Sequence, residues 1–114
     1  MRQKEIIYNI ALEEVLKLKL DNYHTIFLAN MVLRKVRHPE EKMDKIAAKT
    51  MKKMLLIYEK KNLVEISSDK CLDNLEEALN RSNSVPQEWL VGQEVSNVVK
   101  HLALIVIDKA DAIQ

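Results

Sequence analysis

Asp21 and His24 stand three residues apart, a spacing that brings a carboxylate and an imidazole together on the first turn of a helix, where they could serve one metal ion. A carboxylate centre between helices needs several more inward acids, typically including a second such pair. Glu13-Glu14 and Glu76-Glu77 are adjacent pairs, and neighbours on a helix point in different directions. Asp21 therefore reads as a helix cap and His24 as a first-turn surface residue. No metal or other cofactor is expected.

The remaining reactive side chains are scattered. His38 precedes Pro39 in a turn and reads as a solvated or capping residue. His101, between Lys100 and Leu102, reads as a histidine at the edge of the core, with a pH-sensitive, partly buried group as the alternative. Cys71 is the one cysteine, so neither an internal disulfide nor a Cys-x-x-Cys zinc site can form. A helix N-terminus could lower its thiol pKa, but Asp69 opposes that, and a small buried hydrophobe is the plainer reading. The one glycine, Gly92, excludes the usual dinucleotide-binding glycine pattern, phosphate loop and nucleophile elbow. The expectation is a non-enzyme with no small-molecule substrate.

Charge is the stronger signal. The net charge is +1, yet residues 34–61 carry ten Lys and Arg against four acids, and residues 62–114 carry four against nine. At 100° per residue, Lys42, Lys45, Lys49, Lys52, Lys53 and Lys60 fall within a stripe of roughly 100° that runs about 27 Å and contains no acid. Arg34, Lys35 and Arg37 add charge just before it. Such a row could neutralise several phosphates; it could equally be the solvated face of an amphipathic helix, or a match for acidic helices of the same chain.

These side chains must be held by helices. Roughly eight glycines and six prolines are usual at this length, and the sequence has one and two. That scarcity favours long uninterrupted helices joined by short turns. The first helix is expected over Gln3 to Leu20 with Ile6, Ile7, Ile10, Ala11, Leu16 and Leu20 inward. The second is expected over Tyr23 to Arg37 with Tyr23, Ile26, Phe27, Asn30, Leu33 and Val36 inward. Pro39 then opens a third helix to Lys61, with Glu40 and Glu41 in its first turn, and Met43, Ile46, Ala47, Thr50, Met54, Ile57 and Tyr58 line its inner face. Asn62 is its expected left-handed cap, and 63–66 is a short β-prone stretch. Ser67 or Ser68 caps a fourth helix to about Leu79, with Leu72, Leu75 and Leu79 inward. The phrase Ser84-Val85-Pro86-Gln87 matches a capping box, so a fifth helix should start there and bend at Gly92. The run Leu102 to Ile107 fits a helix better than a buried strand, although its β-branched residues leave the strand open.

The stretch Lys49 to Ile66, a basic helix leading into a short β-prone segment, resembles the recognition helix and wing of winged-helix domains. Asn62 stands where those families usually carry glycine. The resemblance implies nucleic-acid contact by this basic helix, and the lysine row itself offers Lys42, Lys45, Lys49, Lys52 and Lys53 for that contact.

The fold expected is a single all-α domain, a bundle of about five helices, mostly antiparallel. Its leading functional expectation is a regulatory or adaptor protein that docks another protein or its own copy through Trp89, Leu90, Val98, Leu102 and Ile105. Nucleic-acid binding through the lysine row is the alternative. Met31, Met43, Met51 and Met54 read as core filling, with a helix-binding groove as the other use of such a group. The longest apolar run is far short of the roughly 20 residues of a membrane span. The N-terminus lacks the apolar centre of a secretory signal, and a cytoplasmic protein without membrane contact is expected.

Overall fold

Helix boundaries in this chain are set by polar side chains that cap and by turns that close without glycine. A computed structural model describes residues 3–58 and 68–113. They form α1 (Gln3–Leu16), α2 (Asn22–Arg37), α3 (Met43–Tyr58), α4 (Ser68–Arg81) and α5 (Val95–Ile113), with a 3-10 segment, Gln87–Gln93, before α5. No strand occurs among the described residues, and the fold is an all-α bundle. Its radius of gyration is 13.5 Å, against about 13 Å for a compact chain of this length.

α2 is the central rod because its sequence is apolar on nearly every side. Phe27, Leu28, Ala29, Met31 and Val32 are fully buried, and α2 touches α1, α3, α4 and α5. α1 and α5 also pack on each other, so these two and α2 enclose most of the core, while α3 and α4 lie together on the other side of α2. The α5 stripe Val95, Val98, Val99, Leu102, Ala103 and Val106 keeps a step of three and four and faces inward. Leu104 points outward between the buried Leu102 and Val106, whereas a strand would place all three on one face. The run 102–107 is therefore helical.

α1 stops at Leu16, four residues short of the expected Leu20. The amides of Leu18 and Lys19 reach back three residues, to the Val15 and Leu16 carbonyls at 3.0 and 3.2 Å. Lys19 takes the left-handed conformation, φ 56°. The tightened turn swings Leu18 into the core and leaves Leu16 outside, so the inward place expected for Leu16 belongs to Leu18. Asp21 caps α2 as expected, one oxygen accepting the His24 N–H at 2.8 Å.

α3 begins at Met43 rather than Pro39. Pro39 and Glu40 form a turn closed by the Glu41 amide on the His38 carbonyl at 3.0 Å, and Glu41 is drawn back to α2 by Arg34, so neither glutamate lies in the first turn of α3. The inward residues Ile46, Ala47, Thr50 and Met54 are buried. The expected end at Lys61, the Asn62 cap, the β-prone 63–66 and the side chains of Ile57 and Tyr58 lie outside the described residues. α4 follows at Ser68, with Leu75 and Leu79 fully buried.

The capping box does not form. Pro86 occupies the cap position with no side-chain bond, and a 3-10 segment follows in place of an α-helix. Gly92, φ 82°, makes the expected bend, a conformation that side chains with a Cβ adopt rarely. The kink lets α5 start afresh at Val95, where the Asn97 amide nitrogen of the side chain bonds the Val91 carbonyl.

Candidate functional site

The last turn of α2 presents Arg34, Lys35 and Arg37, cations that complement the negative end of a helix dipole, worth about 0.3–1 kcal/mol each at a surface. α3 runs beside that end and adds its lysines. Lys42, Lys45, Lys49, Lys52 and Lys53 are all exposed. Lys60 lies outside the described residues.

Glu41 divides this basic face. Its carboxylate takes both Arg34 nitrogens, with Nη2 at 3.0 Å, and also pairs with Lys49 at 3.4 Å. The Arg34 hydrogen bond, with the charges of Arg34 and Lys49, outweighs desolvation and brings the Glu41 carboxyl down to about 2. Lys35 is spent on the Pro39 carbonyl at 2.6 Å. Arg37, Lys42, Lys45, Lys52 and Lys53 make no ion pair among the described residues.

Lys53 is the unusual member. Burial, then the positive charges of Lys4 on α1 and Arg37 on α2, push its amine below the ordinary lysine range. Three helices thus bring like charges together. Beside them, between the C-terminal half of α2 and α3, lies a small cleft of about 60 Å³ whose lining includes Arg37, Lys49, Lys53, His38 and the polar pair Asn30 and Thr50. Asn30 and Thr50 are 5% and 3% exposed. The Asn30 side-chain amide donates to the Ile26 carbonyl at 2.8 Å, leaving its oxygen as an acceptor. Arg37 and His38 also border a broader, shallow basin of about 710 Å³ with Lys42 and Lys45 on its rim.

The residues expected to form a protein interface fall on two sides of the surface. Leu90, Val98 and Leu102 are core residues, 9%, 0% and 1% exposed, because the 3-10 segment packs on α4 and α5, and α5 packs on α1 and α2. A docking surface built on those three is corrected accordingly. Trp89 and Ile105 are half-buried. The Trp89 indole stacks flat on the His101 ring, centroids 5.6 Å apart and planes 9° apart. Leu104 and Ile107, not singled out by the sequence, are the exposed apolar residues of that part of α5.

Other candidates have structural partners. His24 Nδ1 lies 2.7 Å from the second oxygen of Asp21, and among the described residues no group of three metal-ligating side chains gathers anywhere. Cys71 is buried against the Tyr23 hydroxyl at 3.3 Å, and burial pushes its thiol up rather than down. The methionines Met31, Met51 and Met54 fill the core, and Met43 packs half-buried against it. Sequence reasoning missed Lys4 and the cleft. A signal for the cleft was present, since Asn30 and Thr50 are polar residues at inward positions of two neighbouring helices. Nothing local marked Lys4, whose part depends on how α1 is placed.

No protein-family model, curated protein or solved structure matches this chain.

Proposed function

We propose that this chain is a non-catalytic binding protein that holds the sugar-phosphate backbone of nucleic acid on the face made by α3 and the last turn of α2. The observation that carries the reading is the exposed row of Lys42, Lys45, Lys52 and Lys53 beside Arg37, none of which pairs with an acid among the described residues. Like charges held together in a free protein raise its energy, and an anion placed among them removes that penalty. The described side chains of this face include no phenylalanine, tyrosine or tryptophan, which favours phosphate contact over base stacking. Electrophoretic retardation tests it. Mixed-sequence duplex is retarded at low salt, and reversing Lys45, Lys49 and Lys52 to glutamate abolishes the shift. Absence of retardation at low salt removes this reading.

A second reading, pairing of two copies through the outer face of α5, is favoured by a separate observation. Lys100, Leu104 and Asp108 are exposed and spaced by four along one line of the helix. An antiparallel two-fold pairing about Leu104 sets Lys100 of each copy against Asp108 of the other, the self-complementarity that a symmetric interface requires. Leu104 is 62% and Ile107 37% exposed, which supplies the apolar centre. In this reading the chain acts as a regulatory homodimer, and Trp89 and Ile105 border the contact.

A further inference from the structure

We infer that the cleft between α2 and α3 is a seat for one tetrahedral phosphate group, held by Arg37, Lys49 and Lys53 over a floor of Asn30 and Thr50. The inference rests on the anion-binding reading of this face and names what the face grips.

Size comes first. The cleft, at about 60 Å³, is far smaller than the basin of about 710 Å³ beside it, so it suits a small group and not a whole nucleotide. The charge is of one sign. Glu41 cancels part of Lys49 and all that Arg34 offers, but Arg37 and Lys53 have no acidic partner among the described residues. The chemistry is mixed in the way a phosphate suits. A guanidinium gives a planar fork of donors, an ammonium gives a point charge, and the Thr50 hydroxyl and Asn30 amide are polar groups beneath them.

The cleft's neighbour shows where the rest of the ligand goes. Arg37 and His38 are common to the cleft and to the broader basin edged by Lys42 and Lys45. A phosphate in the cleft therefore leaves its attached chain to run across the basin, past Lys42 and Lys45 and beside Glu40 and Glu41, which also line it. The ligand chemistry is a phosphate group with a further anionic or sugar portion, and its source is either the terminal monoester of a strand or an internal diester.

Lys53 separates a binding role from a structural one. A lysine that ties a fold together destabilises it when removed; here its charge is opposed by burial and by Lys4 and Arg37. Lys53→Gln is expected to leave the melting temperature of the free protein unchanged or raised, and to weaken phosphate binding about tenfold. Thr50→Val, which keeps the shape and removes the hydroxyl, is expected to weaken it by a smaller factor.

The experiment is titration of the full chain with inorganic phosphate at constant low ionic strength, read by calorimetry and thermal shift. Oligonucleotides with a 5′-phosphate or a 5′-hydroxyl are titrated in parallel. Wild type is expected to saturate and to melt higher with phosphate, and Lys53→Gln to need about tenfold more phosphate for both effects while remaining folded. Tighter binding of the phosphorylated end assigns the seat to a terminal monoester, and equal binding that Lys53→Gln weakens assigns it to an internal diester. No saturation by phosphate, or saturation unaltered in Lys53→Gln and Thr50→Val, overturns the inference. Retardation of duplex that depends on Lys45, Lys49 and Lys52 but comes without phosphate saturation removes the seat and leaves the face. Saturation without retardation does the reverse.

Discussion

The Arg34 guanidinium closes as a fork on the Glu41 carboxylate seven residues later, and this pair pins the α2–α3 turn while removing one cation from the basic face. Glu41→Gln keeps the shape of the acid and discards its charge. Arg34 and Lys49 are then released, so the variant should bind duplex several-fold more tightly at low salt and melt at a lower temperature. Parallel retardation and thermal melts check this, and a variant that loses stability without gaining affinity would argue that the face does not bind polyanions.

Acid should unfold the protein through three carboxylates. At Glu14, burial acts to raise the carboxyl, and hydrogen bonds from Lys109 and Lys17 with their charges outweigh it. At Asp21 burial is likewise outweighed, by the bonds from His24. At Glu41 the bond from Arg34 dominates. All three lie below their ordinary values when folded, so each contributes stability that is complete above the unfolded value and is lost as pH falls through the folded one. For Glu41 the window runs from 4.5 down to about 2. Stability should therefore be flat from pH 6 to 7 and fall below about pH 4.5, and Glu41→Gln should flatten the lower part of the fall. Urea melts across that range measure it.

Ser82 ties two turns together, donating to the Leu18 carbonyl at 2.6 Å and accepting from the Ser84 amide at 3.2 Å. Ser82→Ala leaves a partly buried carbonyl and an amide without that partner, and should lower stability by about 1 kcal/mol. Urea denaturation with an unchanged m-value is the check. A neutral result would mean that water replaces the hydroxyl at both partners.

Pairing of α5 faces has its own signature. Lys100→Asp should lower the dimer fraction in sedimentation, and adding Asp108→Lys in the same chain should restore it, since the swap exchanges the ends of a symmetric contact. Trp89, the one tryptophan, lies close by and reports on its stack: His101→Ala should change its emission intensity whatever the oligomeric state. A protein that sediments as a monomer at every concentration would dismiss the pairing.

Much of the bundle was legible because helix periodicity and caps are local properties. Asp21 was read as a cap and caps α2, and the inward stripe of α5 follows from a step of three and four that Leu102 to Ile107 does not break. What failed was decided at a distance. Helix α1 ends at Leu16 because a left-handed Lys19 lets Leu18 reach the core, and α3 starts late because Arg34 on another helix claims Glu41. The site divided in the same way. The lysine row was visible from 100° per residue alone, whereas the part played by Lys4 depends on three helices meeting, which no window of sequence contains. Leu90, Val98 and Leu102 read as a surface in the sequence because apolar residues look alike until the partner helices are in place.

The salt dependence of duplex binding tests the central claim most directly. If about four lysines and arginines of the face displace counterions, the logarithm of the binding constant should fall linearly with the logarithm of salt concentration, with slope about −3.6, and affinity should drop about a hundredfold between 50 and 200 mM. Reversal of Lys45, Lys49 and Lys52 should abolish the binding while leaving the helical spectrum intact. A wild-type protein that binds no duplex at 50 mM salt, or whose affinity is indifferent to salt, would contradict the account.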